Sequence, residues 1–155
     1  MKLKRKNTGE WVEAIIEQVS PEYLTVLPED RFSFDWSKTK GTEVFGIRLK
    51  NEESPLGIIS IEDIPSELRI FIRLLEVSRE NTGRNKIYEG IAGCLIAFAC
   101  IIAFQKDYDG FVSLIPKTEL INHYKRKYGF REFGTHLFLE GERSDFLIKQ
   151  YLENG

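Results

Sequence analysis

Fifteen consecutive residues, Gly90 to Phe104, carry no charge in a chain where 30% of residues are charged. A membrane span needs roughly 20 such residues, so the run reads as part of a buried helix, extending over Tyr88 to Lys106. Apolar side chains occupy nearly every side of it, so it must be covered on more than one face. The rest of the chain has to supply those covers. At 155 residues it supports one core, and a single domain over 1–155 is the expectation.

The flanking elements follow from pattern. Trp11 to Val19 reads as a strand, and Ser20-Pro21 starts a short helix reaching Leu27. Pro28 to Gly41 is polar with scattered aromatics, read as a loop or short helix that Phe32, Phe34 or Trp36 anchors. Strands follow at Glu43 to Lys50, Leu56 to Ile61 and Leu68 to Val77. The turns between them, Asn51 to Pro55 and Asp63 to Glu67, are short enough for an antiparallel meander. Ser78 to Lys86 is a polar loop leading into the apolar helix. Asp107 to Gly110 turns into a short strand, Phe111 to Ile115. Thr118 is expected to cap a helix ending near Tyr128, with Gly129 as its stop. Arg131 to Glu140 reads as a strand and Arg143 to Leu152 as a closing helix. Strands first, then alternating helix and strand, predicts an α+β or mixed α/β fold.

Charge and cysteine content exclude several classes. Lys plus Arg is 22 against 24 for Asp plus Glu, a net charge of −2, so no global attraction draws the chain to nucleic acid. Cys94 and Cys100 are too few for a disulfide framework or a zinc site, and no metal is expected. They suit a reducing cytoplasm, and core packing is their expected role, since apolar burial raises a thiol pKa. The N-terminus, Met1 to Lys6, is basic but no apolar signal core follows it. Neither a membrane nor a nucleic acid is an expected partner.

The chemistry-bearing stretch is Leu68 to Leu95, in which a strand enters a polar loop and then a helix. Gly90, Ala92 and Gly93 serve either close approach of a ligand to the backbone or close helix–sheet packing. The unpaired N–H groups of a helix start, with the helix dipole, favour phosphate. Arg84 and Lys86 lie just upstream. Neither the dinucleotide fingerprint nor the P-loop spacing is present.

Gly90-Ile91-Ala92 with Leu95-Ile96, followed by a strand, a helix and Tyr128-Gly129-Phe130, resembles the GNAT superfamily of N-acetyltransferases. The resemblance spans roughly Glu43 to Glu140. The texture from Asn85 to Gly93 is similar to that of small bacterial GNAT-like proteins. It implies a central, mostly antiparallel sheet with a splayed parallel strand pair, flanked by helices. It implies acetyl-CoA as cosubstrate and acyl transfer to an amine, on a small molecule or a protein. Leu75 and Val77 would pair with the pantetheine amides, with the Val77 N–H at the thioester oxygen. Asn85, Lys86, Tyr88, Glu89, Gly90, Ile91, Ala92 and Gly93 would hold the pyrophosphate. Glu76 would be general base, and its alternative is an ion pair with Arg73 or Arg79. Tyr124 would be general acid. Homodimers are frequent among such proteins.

The chain departs from the family pattern at three places. Ile87 stands where the signature has Gln or Arg, Lys125 where Tyr is common, and Thr118 where Asn is common. Tyr124 is one residue from the usual place, a rotation of about 100° on a helix. The missing Gln/Arg side chain and the displaced tyrosine favour a second reading, a GNAT-like binding or regulatory module with little or no catalysis. A purely structural domain is the third.

Overall fold

The computed structural model describes residues 1–39 and 42–153. Lys40 and Gly41, at the end of the expected aromatic loop, lie outside the described residues.

Nine strands form one curled mixed sheet. They are β1 (Lys2–Arg5), β2 (Trp11–Gln18), β3 (Glu43–Leu49), β4 (Gly57–Ile64), β5 (Arg69–Val77), β6 (Tyr88–Glu89), β7 (Val112–Leu114), β8 (Arg131–Phe133) and β9 (His136–Leu139). Their spatial order is β6-β1-β2-β3-β4-β5-β7-β9-β8. The run β3 to β5 is the expected antiparallel meander, and β2 pairs antiparallel with β3. β5 and β7 are parallel, in register Ile70↔Val112 to Ile72↔Leu114. The helices are α1 (Pro21–Leu24), α2 (Ile91–Gln105), α3 (Ile121–Tyr128) and α4 (Gly141–Tyr151).

The helix α2 is the apolar run. Leu95, Ile96, Ala97, Ala99, Cys100 and Ala103 on it have no measurable exposure. One side rests on the sheet residues Ile47, Ile59, Ile70, Val112 and Leu137, and the α4 residues Leu147 and Ile148 share the same core. Burial on two sides needs close approach, and Gly93 supplies it: a Cβ there would overlap the Tyr151 ring of α4. Gly57 does the same on the sheet side, where an added Cβ would lie 2.7 Å from Ile91 Cγ2. A second, smaller core on the other sheet face joins Leu24, Phe32 and Trp36 to Val44 and Ile58. Phe32 and Trp36 therefore anchor the aromatic loop, while Phe34 is 39% exposed.

Several boundaries differ from expectation, each for a physical reason. Lys2–Arg5 is a strand because it has two partners, β2 and β6. Tyr88 and Glu89 belong to β6, so α2 begins three residues late, behind Gly90 at φ +90°. Thr118 opens a 3₁₀ turn, Thr118–Leu120, and Leu120 precedes α3 without a side-chain cap. Arg131 to Glu140 is a hairpin: Gly134 at φ +61° turns the chain between β8 and β9. α1 stops at Leu24, and β4 continues to Ile64. Ser20 Oγ caps α1 as expected, accepting from the Tyr23 N–H at 3.2 Å. Gly129 ends α3 at φ +79°.

Candidate active site

The parting of β5 from β7 begins with one extra residue. Along β4 and β5, Ser60 faces Leu74 and Ile61 faces Ile72, so Arg73 is a bulge with no partner. A bulge bends its strand and sharpens its twist. The parallel ladder with β7 stops at the same level, at Ile72↔Leu114. Beyond Leu114 the chain reads Ile115-Pro116, and proline has no N–H to continue a ladder.

The bulge also decides which way the backbone of β5 faces. The Ser78 N–H donates to the Leu56 carbonyl at 2.9 Å. Hydrogen-bonded and non-bonded pairs alternate along an antiparallel ladder. Glu76 and Leu74 therefore bond to β4, and Leu75 and Val77 turn their N–H and C=O groups towards the edge that β7 has left. Both side chains pack half-buried against the main core, as do Ile121 and Tyr124 of α3.

The polar loop after β5 is held from within. Asn81 Nδ2 donates to Ser78 Oγ at 3.0 Å, and the Tyr88 N–H donates to Asn81 Oδ1 at 2.9 Å. Arg31 clamps the loop to the β3–β4 turn, bonding Glu80 Oε1 at 2.6 Å and the Pro55 carbonyl at 2.9 Å. The residue that follows β1 takes the other side: the Lys6 N–H donates to the Ile87 carbonyl at 2.9 Å, and Lys6 Nζ donates to the Arg84 carbonyl.

The residues expected to hold a pyrophosphate thus divide. The Tyr88 amide is bonded to Asn81, the Tyr88 side chain is buried, and Tyr88 and Glu89 both pair with β1. Ile91, Ala92 and Gly93 form the first turn of α2, and their amides have no acceptor among the described residues. Tyr151 covers Gly93 and lies against Gly90, so on that flank the small residues serve packing. Asn85 is exposed and Lys86 half-buried.

Glu76 is occupied. Its carboxylate accepts from the Ser33 N–H at 2.6 Å, Ser33 Oγ at 2.7 Å, the Phe34 N–H at 3.2 Å and Trp36 Nε1 at 2.8 Å. Neither expected ion pair forms: Arg73 pairs with Glu62, and the Arg79 N–H bonds the Arg31 carbonyl. The loop so fastened borders a cavity of about 520 Å³ lined by Phe32, Phe34, Asp35, Trp36 and Arg79.

Tyr124 sits in an aromatic cluster, with ring centroids 6.0 Å from Tyr128 and 5.6 Å from Phe130. Burial raises its pKa, and its hydroxyl has no hydrogen-bond partner among the described residues. Tyr124 is therefore protonated at neutral pH, the state a proton donor needs. His123 is exposed beside it, and burial followed by the charge of Lys127 lowers its pKa. Burial pushes Cys94 and Cys100 up to about 12, which leaves both as thiols. Among the described residues no three His, Cys, Asp or Glu side chains gather as a metal-ligand group.

The sequence points to Lys86 at the phosphates but not to the lysines of β1 that the structure brings beside it. A cavity of about 350 Å³ at the start of α2 is lined by Lys2, Lys4, Lys86 and Lys127, together with Gly90 and Tyr151. The signal was present: Lys2 and Lys4 are two apart, the period of one strand face.

No family model matches the chain, and no curated protein sequence does. Solved structures share its architecture. AtaTR bound with acetyl-CoA superposes with a TM-score of 0.62 at 13% identity, covering 88% of this chain and 98% of that one. AtaT complexed with acetyl-methionyl-tRNAfMet gives 0.60 at 14% identity, covering 88% and 99%. A Bacillus anthracis protein described as a streptothricin acetyltransferase, in complex with acetyl coenzyme A, gives 0.62 at 14%, covering 84% and 99%. The fold is the GNAT-like acetyltransferase fold.

Proposed function

We propose that this chain is an acetyl-CoA-dependent N-acetyltransferase acting on an amine. One observation carries the reading: past the Arg73 bulge, the edge of β5 that presents Leu75 and Val77 has no strand beside it among the described residues. An edge of unpaired N–H and C=O groups is a template for an extended, amide-bearing ligand. The amides of Ile91, Ala92 and Gly93, without an acceptor among the described residues, suit a diphosphate. The neighbouring structures bound to acetyl-CoA support the same ligand.

Acetyl-CoA supplies an acetyl group as a thioester. In this reading Leu75 and Val77 bind the pantetheine arm as an added strand, and the Val77 N–H polarises the thioester oxygen. The amine nitrogen attacks the carbonyl carbon, a C–N bond forms, and the C–S bond breaks. Tyr124 gives its phenolic proton to the departing sulfur, the new C–N nitrogen sheds a proton to solvent as it becomes the amide, and Tyr124 regains one from that solvent. The carboxylate of Glu76 has all its near positions filled by the loop, so its part is to position the Ser33–Trp36 wall of the acceptor cavity. The incoming ammonium loses its proton to water, and kcat/KM rises with pH towards the amine's own pKa. This reading places the enzyme in the cytoplasm, where acetyl-CoA is available. No described helix is long and apolar enough to cross a membrane.

Two measurements test this. Acetyl-CoA at about 100 times its Kd stabilises the folded chain by about 2.7 kcal/mol, read as a rise in Tm. Thiol release is then followed with a panel of amines that includes small molecules, peptides and an aminoacyl-tRNA, because AtaT has been solved with an acetylated one. No rise in Tm refutes the reading. A rise without thiol release for any amine selects the binding module, which Ile87 at the Gln/Arg position favours.

A further inference from the structure

We propose that the N-terminal strand β1 supplies cationic side chains that hold the phosphates of acetyl-CoA, with Lys4 facing Lys86 and Lys127 across the cavity at the start of α2. The inference rests on the reading above and extends it to a part of the chain outside the family resemblance.

Three separate segments contribute: β1, the loop before β6, and the last turn of α3. Their lysines converge on one cavity in a chain whose net charge is −2, so the concentration is local. Among the described residues Lys4, Lys86 and Lys127 have no carboxylate within ion-pair distance. Glu89 is the one acidic residue in the lining. Burial lowers the pKa of Lys127, the charge of Lys86 lowers it further, and Glu89 offsets part of this. A cluster that repels itself is relieved by a polyanion, and Gly90, which precedes the first turn of α2, belongs to the same lining.

The fold explains how β1 arrives there. Its ladder with β6 fixes Lys4 opposite Glu89, one residue from Gly90. Its ladder with β2 sets Lys4 against Trp11, whose ring lies 5.8 Å from Lys4 Nζ. A side chain from Ile87 cannot pair with phosphate, and β1, paired with the next two residues, Tyr88 and Glu89, brings Lys4 instead.

The experiment compares acetyl-CoA with S-acetylpantetheine, which lacks the phosphates, by calorimetric titration. Lys4→Gln with Lys127→Gln is expected to weaken acetyl-CoA binding at least tenfold and to leave S-acetylpantetheine unaffected. The same pair reduces the salt dependence of acetyl-CoA binding, and Lys4→Arg restores most of the affinity. Far-UV circular dichroism and Tm confirm that the variants fold. Unchanged acetyl-CoA affinity, or equal losses for both ligands, overturns the proposal while the proposed function stands. Failure of the wild-type chain to bind acetyl-CoA overturns both.

Discussion

Glu76→Ala separates a positioning role from a catalytic one. The substitution removes the acceptor for four donors on the Ser33–Trp36 segment. Ser33 and Phe34 are exposed, so their donors turn to water at little cost. Trp36 is 1% exposed, and its Nε1–H loses its partner inside the second core. A stranded buried donor costs about 1–3 kcal/mol, and the lost charge-assisted bonds bring the total to about 2–3 kcal/mol. For a chain of this size that lowers Tm by about 4–12 °C. The assay is thermal unfolding followed by circular dichroism, beside acrylamide quenching of tryptophan fluorescence in a Trp11→Phe background. Trp36 is expected to become accessible to quencher in Glu76→Ala. Glu76→Gln keeps one acceptor oxygen and falls between. A variant with wild-type Tm and a shielded Trp36, but with no activity, refutes the clasp and returns Glu76 to the role of base.

Two further outcomes follow from packing and charge. Gly93→Ala drives a Cβ into the Tyr151 ring and is expected to cost about 1–3 kcal/mol; combined with Tyr151→Ala in a denaturation cycle it costs much less than the sum, and additivity refutes the contact. His123 is held below its ordinary 6.5, first by burial and next by Lys127. The unfolded chain therefore takes up that proton more readily. Stability falls as pH drops through about 6.5, and the loss is complete below the folded value. His123→Gln flattens the decline of Tm between about pH 7 and pH 5, and an unaltered profile refutes the placement.

The elements legible in the sequence are those whose signal is local. The uncharged run gave α2, the apolar stretches gave β3 to β5, and the Gly129 stop gave the end of α3. The strand β1 was not legible, because Lys-Leu-Lys-Arg becomes a strand only through its two neighbours. The hairpin in Arg131 to Glu140 turns on Gly134, a single residue inside an otherwise strand-like segment. Leu75 and Val77 were singled out from the resemblance, and their orientation needed the register of β4. Glu76 shows the limit most clearly. Its place at the end of β5 was readable, but its four donors lie forty to forty-three residues earlier in sequence, on a loop with no periodic pattern.

The residue at 73 carries a consequence for how this chain tolerates change. Its side chain is exposed, so most replacements there leave the surroundings intact. Its presence as a unit of length is another matter. Deleting it shifts the parity of everything from Leu74 to Val77, sending the outward-facing amides inward and the Glu76 carboxylate to the opposite side. Chains descended from this one can vary the letter at that position freely, but not the spacing across it.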